Sequence, residues 1–347
     1  MDASKEGLTE EPSDRRGQVS VILTVLNEAA SIKSVLENLL SQSRRPDEIV
    51  IVDGGSRDDT VKLIEEFSER ESSIKLIIAK GANISEGRNI AIRNAGYPLI
   101  AATDGGCRPD TMWLEKLIEP VEKDPSVDAV KGVFESEPHN LFERLSGLLT
   151  LPGSLNEIDE ESYPMSGRSS AFRKSVWEKA GGYPEWLYTA EDSLFEEKLK
   201  EIGVNIKLAK QSVVYWRPRK TLWRMGKMFY LYGRGAGRIG KSLKGAYYHL
   251  RNYLLGVVLL IVSFFCPLTL LLFIAGVGYI YNGFYRPIIN RVKKVYPGWK
   301  AEFYVPLIVF VRTLSYCIGL LAGNYEYKHV PGFKENLEAY LSTVKLK

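Results

Sequence analysis

Short apolar runs alternate with amphipathic segments along the first two hundred residues of the chain. The apolar runs predict strands at residues 19–25, 47–53, 74–79, 98–104 and 127–136. Two shorter strands are predicted at 204–209 and 212–216. Helical periodicity predicts helices at about 30–41, 60–70, 85–94, 109–123 and 191–202. Strands that alternate with helices are typical of an α/β fold with a mostly parallel sheet, whose ligands bind at the carboxyl ends of the strands.

The pattern changes in the last hundred residues, where long apolar runs replace the alternation. Residues 253–281 contain no charged side chain, and a second run, 303–323, is interrupted only by Arg312. About 20 apolar residues span a bilayer as a helix, so the runs predict membrane association rather than a buried hairpin of a soluble core. The first run has basic residues on both sides, which favours a re-entrant or interfacial hairpin kinked at Pro267. One long tilted span is the alternative.

Charge is distributed unevenly along the chain, although the net charge is only +4. Residues 211–300 contain 15 Lys or Arg and no Asp or Glu, whereas residues 1–210 are strongly acidic. This asymmetry indicates a polyanionic partner, either nucleic acid or membrane headgroups. The apolar runs, and the lack of a base-reading or stacking motif, favour membrane lipid and no nucleic acid.

These patterns together divide the chain into five predicted parts. They are a disordered tail (1–17), an α/β domain of the catalytic type (18–217), a basic interfacial helical segment (218–250), membrane helices (251–325) and a C-terminal tail (326–347). No apolar run opens the chain, so no signal peptide is expected. The three cysteines are widely spaced and predict neither a disulfide nor a metal cluster.

Two aspartates follow predicted strands and are the first candidates for chemistry. Asp53 opens the sequence DGGS, in which glycines let a ligand approach the backbone, and its carboxylate can accept a hydrogen bond from a base or a ribose. Asp104 ends the fourth strand and suits a divalent cation that bridges a diphosphate. Each has an alternative as an acid that only stabilises its own turn. No GxSxG, P-loop or HExxH motif is present, and the GGS turn is not a GxGxxG nicotinamide fingerprint.

The order of several motifs carries a resemblance to a known family. The segments VSVILTVLNEA, IVDGGSRDDT, SEGRNIAIRNA, ATDGGCRPDTMWLEKL, GRSSAFRKSVWEKAGGYPE and AEDSLFEEKLKEIG resemble, in this order, a family 2 glycosyltransferase with the GT-A nucleotide-sugar fold. The resemblance covers about residues 18–240. The following YGRGAGR segment and apolar runs are similar to those of membrane-bound members that build polysaccharides or lipid-linked glycans.

The resemblance implies a role for each matching residue. Asp192 would be the general base, Asp104 would begin the metal-binding DxD motif, and Asp53 would hold the nucleotide base. The other implied substrate-binding residues are Thr24, Val25, Asn27, Glu28, Arg88, Asn89, Arg168, Glu191 and Arg217. Asp192 has an alternative as a helix N-cap or first-turn acid, and Arg168 as an ordinary surface arginine.

This chain departs from the family pattern at two potential metal ligands. The second acid of DxD is replaced by Gly106, and Trp216 stands where the family often has a histidine. A divalent cation, Mg²⁺ or Mn²⁺, is therefore expected to be held by Asp104 and phosphate oxygens, or to be replaced in part by Arg217 and Arg219. Whether the metal is essential is left open by the sequence.

The function implied is transfer of a sugar, with inversion, from a nucleotide-diphosphate donor to a lipid-linked or polysaccharide acceptor. The enzyme is expected in the cell membrane with its catalytic domain facing the cytoplasm. A polyprenyl-phosphate sugar synthase is the first alternative, and a processive polysaccharide synthase is weaker because a QxxRW-type signature is absent. The alternative that is not an enzyme is a membrane scaffold that binds a nucleotide sugar without catalysis.

Overall fold

A single eight-stranded sheet forms the centre of the first part of the molecule. The computed structural model describes residues 17–155 and 157–342. The predicted disordered tail, apart from Gly17, and the end of the predicted C-terminal tail lie outside the described residues. The strands are β1 (Val19–Val25), β2 (Glu48–Asp53), β3 (Ile74–Ile78), β4 (Leu99–Ala102), β5 (Cys107–Pro109), β6 (Ala129–Ser136), β7 (Ser170–Arg173) and β8 (Ile206–Trp216). Their order in the sheet is β3-β2-β1-β4-β7-β6-β8-β5.

Thirteen α-helices are found in the described part of the chain. They are α1 (Ile32–Leu40), α2 (Thr60–Ser68), α3 (Ile84–Asn94), α4 (Trp113–Lys123), α5 (Leu141–Thr150), α6 (Lys174–Ala180), α7 (Glu191–Glu201), α8 (Leu222–Arg238), α9 (Lys244–Val262), α10 (Leu268–Ile280), α11 (Arg286–Val295), α12 (Ala301–His329) and α13 (Phe333–Ser342). A π-helical turn, Tyr281–Tyr285, joins α10 to α11.

The strands β3, β2, β1 and β4 are parallel, which brings their carboxyl ends to one edge of the sheet. Val25 at the end of β1 is in register with Asp53 at the end of β2. Every residue of β2 is buried, as expected for β-branched strands covered by helices on both faces. The predicted α/β fold is confirmed, and its sheet is mixed, because β7 and β5 pair antiparallel with their neighbours.

Two details of the sheet differ from the prediction. The two short strands predicted at 204–209 and 212–216 form one continuous strand, β8, because the exposed polar pair Lys210 and Gln211 lies within it. The register shift in its parallel partner β6 falls between Gly132 and Val133. The short strands β5 and β7 were not predicted, because three and four residues are too few to show an apolar pattern.

The C-terminal part contains three helices long and apolar enough to cross a membrane, Lys244–Val262, Leu268–Val295 and Ala301–His329. The first two form a hairpin that breaks between Val262 and Leu268, next to Pro267. The uncharged run 253–281 has only 14 residues on each side of Pro267, too few for two full spans, but the helices are longer than the run. The helices extend into the basic flanks to 19 and 28 residues, because Lys, Arg and Tyr do not end a helix. Each half is therefore long enough to span.

Glycines bring α8 and α12 into close contact, and the two helices cross with their backbones nearly touching. A Cβ built on Gly323 would lie 1.9 Å from the carbonyl oxygen of Arg234, and one on Gly233 would lie 2.1 Å from that of Tyr316. Arg234 and Arg238 of α8 both pair with Glu326 of α12. The predicted interfacial helix thus has a glycine face covered by protein, while Trp223 at its start is 81% exposed.

The second part of the molecule shares a core with the first. Leu145 and Leu149 of α5 pack with Val305 and Ile308 of α12. At the other end of α12, α13 follows and returns to the α/β part, where Lys198 donates to the carbonyl oxygens of Tyr340 and Leu341, the former at 2.6 Å. The catalytic and membrane parts are thus joined along the length of α12, and the predicted domain boundaries stay predictions.

Replacing Gly323 by alanine should destabilise the crossing of α8 and α12. The added methyl group overlaps the Arg234 carbonyl, so the helices must separate at a cost of about 1–3 kcal/mol. Gly276→Ala is the matched control, because a Cβ there has no atom within 4 Å and the gain in helix propensity is the same. Thermal unfolding in detergent measures the difference. Equal midpoints for the two variants would contradict the close crossing.

Candidate active site

Three loops meet at the carboxyl edge of the parallel strands. Asn27, in the loop after β1, has a positive φ of 56°, a region that asparagine tolerates. Its side-chain oxygen accepts from the backbone N–H of Arg57 at 2.9 Å, and its own N–H donates to Ser56 Oγ at 2.8 Å. Asp53 is fully buried and accepts from the backbone N–H groups of Gly55 and Ser56 at 2.8 and 2.9 Å. The loops after β1 and β2 are therefore fixed to each other.

The loop after β4 packs directly on the loop after β1. A Cβ on Gly105 would lie 2.8 Å from Val25 Cγ1, and one on Gly106 would lie 3.8 Å from a carboxylate oxygen of Glu28. Gly87 of α3 packs closely on Thr24, since a Cβ on this glycine would lie 2.8 Å from Thr24 Cγ2. The predicted nucleotide-pocket residues of β1 thus lie beside the loop that contains Asp104.

A buried arginine, Arg88 of α3, is the centre of the site. Only 4% of its side chain is exposed, and its guanidinium contacts Asp192 Oδ1 at 2.6 Å, Glu191 Oε1 at 3.0 Å and Asp104 Oδ1 at 3.3 Å. Burial alone would lower the pKa of Arg88, but the three carboxylates outweigh burial and hold this pKa well above its usual value. The structure therefore brings together four of the residues implied by the motifs, from three distant segments.

The two residues that begin α7 have different electrostatic environments. Glu191 is 7% exposed, and burial, together with the neighbouring charge of Asp192, raises its pKa to about 7. Asp192 has 22% of its side chain exposed, and its second oxygen accepts from the backbone N–H of Gly167 at 3.0 Å. A Cβ on Gly167 would lie 2.1 Å from the guanidinium of Arg88, so only glycine fits there. Asp192 is thus the accessible acid of the pair and is held in a fixed direction.

Arg168 lies next to this group and is held by aromatic side chains. Its guanidinium lies 4.8 Å from the ring of Trp216 and 5.4 Å from that of Phe134, and it donates to the Tyr232 hydroxyl at 3.1 Å. Arg219 lies over Trp216 as well, at 5.6 Å. The tryptophan in place of the family's histidine thus provides a surface for two arginines rather than a metal ligand.

Asn89 and Arg217, both predicted to bind substrate, have their polar groups bonded to other parts of the protein. The side-chain amide of Asn89 bonds to the backbone of Tyr183, to Glu185 and to the indole N–H of Trp177, so its bonding capacity is used within the protein. Arg217 forms a two-pronged pair with buried Glu143 at 2.9 and 3.1 Å. Both side chains thus have partners within the protein, and their contact with the nucleotide stays a prediction. Gly167 and Tyr232 were missed by the sequence analysis, because neither carries a charge or a recognised spacing.

A divalent cation would have Asp104 as its protein ligand. Among the described residues no three His, Cys, Asp or Glu side chains are placed to hold a metal together. The Asp104 carboxylate is 28% exposed, and its oxygen atoms suit a hard cation such as Mg²⁺ or Mn²⁺. The remaining ligands would come from a bound diphosphate and water, which a hard cation accepts. The residues present fit a cation that is bound together with its nucleotide.

The chain is similar to several known proteins. Residues 20–180 match the family model of glycosyl transferase family 2. Glycosyltransferase AglE of Haloferax volcanii is 26% identical over 223 residues, which cover 62% of this chain and 72% of that protein. The O-antigen chain rhamnosyltransferase RfbN of Salmonella typhimurium is 24% identical over 210 residues, which cover 57% of this chain and 65% of that protein.

The solved structure of the mannosyltransferase PcManGT from Pyrobaculum calidifontis, in complex with GDP-mannose and Mn²⁺, shares the fold. Its TM-score is 0.54 at 22% identity, over 89% of this chain and 87% of that one. The likeness extends over the C-terminal helices as well as the sheet, since it covers most of both chains.

Glu191 should make the stability of the protein depend on pH. Its pKa is raised from 4.5 to about 7 on folding, so its contribution is complete below about pH 4.5 and is lost as the pH rises through 7. The free energy of unfolding of the wild type, minus that of Glu191→Gln, should therefore fall by roughly 1–3 kcal/mol between pH 4.5 and 8. Urea unfolding at both pH values measures it, with exposed Glu197→Gln as control. A difference that does not change with pH would contradict the raised pKa.

Proposed function

We propose that this chain, which is a glycosyltransferase of family 2, transfers a sugar with inversion from a nucleotide-diphosphate donor to a lipid-linked or polysaccharide acceptor. The observation that carries the proposal is the pairing of one buried arginine, Arg88, with both Asp104 and Asp192. An inverting transfer to a hydroxyl group needs two acids close together. One holds the cation that stabilises the leaving diphosphate, and the other takes the proton from the acceptor.

The donor would bind across the three loops at the carboxyl edge of the sheet. Asp53, Asn27 and Thr24 lie on the side of β1 and β2, where the nucleotide would rest, and Asp104 would face the diphosphate. The PcManGT complex supports a nucleotide sugar with a divalent cation in this fold. When bound, the cation stabilises the negative charge that develops on the leaving diphosphate. Arg168, which lies over Trp216 and interacts electrostatically with Asp104, would be a second cation near the diphosphate.

Asp192 would act as the general base. It is the more exposed acid at the start of α7, with 22% of its side chain exposed. Arg88 and the N–H of Gly167 each hold one of its oxygen atoms, which fixes the carboxylate without burying it. The neighbouring Glu191, whose pKa is raised, would position Arg88 rather than accept the proton.

The acceptor would be presented at a membrane surface. Three helices are long and apolar enough to span a bilayer, which supports a membrane protein, and basic residues flank the hairpin on both sides. By the positive-inside rule, both flanks and the catalytic part next to them would lie on the cytoplasmic face of the cell membrane.

A polyprenyl-phosphate sugar synthase is the second candidate. Its acceptor is a phosphate that is already ionised and needs no base, so the dependence of turnover on Asp192 separates the two functions. The family match leaves no support for a non-catalytic scaffold.

Asp192→Asn should lower turnover by about 10²–10⁴-fold and leave donor affinity nearly unchanged. The substitution keeps the shape of the side chain and removes its basicity. Release of nucleoside diphosphate in the presence of acceptor lipid measures turnover, and calorimetry measures donor binding. The control is Glu197→Gln, an exposed acid on the same helix. If Asp192→Asn kept most of its turnover, the phosphate acceptor would be favoured.

Asp104→Asn should abolish the part of nucleoside-diphosphate affinity that depends on Mn²⁺. Asp104 is the acid to which the proposal assigns the cation, since no three His, Cys, Asp or Glu side chains of the described residues are placed to hold a metal without it. Calorimetric titration of GDP and UDP with Mn²⁺ or with chelator measures it, and Asp110→Asn, an acid of the turn before α4, is the control. Wild-type affinity that is equal in Mn²⁺ and in chelator would show that arginine, not metal, binds the diphosphate.

A further inference from the structure

A cavity lies between α8, α9 and α12, outside the Arg88 group. Its volume is about 370 Å³, and its lining includes Phe229, Ala246, His249, Arg312, Thr313 and Tyr316. The lining has two kinds of side chain. Some are apolar or aromatic, such as Phe229 and Ala246, and others are hydrogen-bond donors, such as Arg312 and Thr313. The proposed reaction gives no role to these residues.

Arg312 is the charged residue of the cavity, and its bonding is incomplete. Among residues 17–155 and 157–342 its one hydrogen-bond acceptor is the backbone oxygen of Leu149, and no carboxylate there lies within 4 Å of it. A guanidinium has five N–H donors. An arginine within an apolar helix is costly unless it is paired or functional, so its free donors indicate a ligand with several acceptor oxygens.

The other polar groups of the cavity favour an anion. Ser242, Thr313 and Tyr316 contribute hydroxyl groups and His249 contributes a ring N–H, whereas no Asp or Glu is part of the lining. No acid occurs anywhere between residues 211 and 300, which includes α8 and α9. A phosphate group, with its several acceptor oxygens, matches these donors.

The cavity lies where a lipid headgroup would be. Ala246 and His249 are in the first turns of α9, and the side chains further along this helix are apolar and exposed, among them Leu254 (65%), Val257 (53%) and Ile261 (54%). A phosphate in the cavity could thus have its hydrocarbon chain along the outer surface of the hairpin, in the bilayer.

Helix α8 connects the cavity to the candidate active site. Phe229 lines the cavity and packs edge-on against Tyr232, with ring centroids 5.8 Å apart. The Tyr232 hydroxyl accepts from Arg168, which lies over Trp216 next to the Arg88 group. A lipid held here would therefore be bound about one helical turn from a residue of the active site.

We propose that this cavity binds the phosphate group of the lipid that carries the acceptor. The proposal rests on the proposed function for its choice of lipid, and it adds the site and its chemistry, with Arg312 as the principal cation. The hydroxyl groups of Thr313 and Tyr316 complete the phosphate contacts.

The test measures lipid binding to the full-length chain in detergent by native mass spectrometry. Undecaprenyl phosphate is the probe, undecaprenol lacks the phosphate, and phosphatidylglycerol represents an ordinary anionic lipid. Arg312→Gln removes the charge, and Gly245→Leu fills the cavity from a position where an added Cβ has no atom within 4 Å. Arg251→Gln, an exposed basic residue of α9, is the matched control.

We expect undecaprenyl phosphate affinity to fall about 10- to 100-fold in Arg312→Gln and in Gly245→Leu, and to be unchanged in Arg251→Gln. Undecaprenol should bind as weakly to the wild type as the phosphate does to Arg312→Gln. Unchanged binding by both cavity variants would overturn the proposal, and so would equal displacement by phosphatidylglycerol, which would identify a general phospholipid site.

Binding of nucleoside diphosphate by the same samples keeps the two proposals distinguishable. Retained nucleotide binding shows that a variant is folded, so a lipid result can be interpreted for each variant. Nucleotide binding without phosphate-lipid binding would overturn the cavity alone. Phosphate-lipid binding that depends on Arg312, in a protein that neither binds nor turns over any nucleotide sugar, would support the cavity and overturn the proposed function.

Discussion

The ion pairs of Arg88 join three segments that the sheet alone would leave independent. Asp104 follows β4, Glu191 and Asp192 begin α7, and the guanidinium that contacts them all comes from α3. A buried charge is tolerated when it is paired and bonded, and removing one partner of a buried pair typically costs about 3–5 kcal/mol. The geometry of the candidate site therefore depends on this one side chain, and glycine at position 167 is what lets the adjoining loop close over it.

The same interaction explains how acids of different function can share a small space. Glu191 is buried and holds its proton more tightly than a free carboxyl group, so fewer than three full negative charges face Arg88 near neutral pH. Asp104, the most exposed of the three acids, has the longest contact to the guanidinium at 3.3 Å. It is the acid best able to exchange this partner for a cation and a diphosphate, while Asp192 is still held.

The alternation of strands and helices was enough to predict the α/β fold and the edge at which its loops meet. The motifs placed Asp104, Arg88 and Asp192 in the candidate site, but not their contact with one another. Arg88 lies 104 positions before Asp192, and no local pattern reports a contact of that separation. Asn89 and Arg217 were assigned from motif position alone, and each has protein partners that only the folded chain brings near. The span lengths were underestimated because charged and aromatic flanks continue the helices beyond the apolar run.

A double-mutant cycle in turnover tests directly whether Arg88 and Asp192 act as one catalytic unit. The rates to compare are those of the wild type, Arg88→Gln, Asp192→Asn and the double variant, each normalised to the fraction that is folded. If Arg88 acts by holding the base, the double variant should be no slower than the slower single variant, within about threefold, because residues of one unit are strongly non-additive. Losses that multiply in the double variant would contradict this account, since they would mean that Arg88 and Asp192 contribute independently.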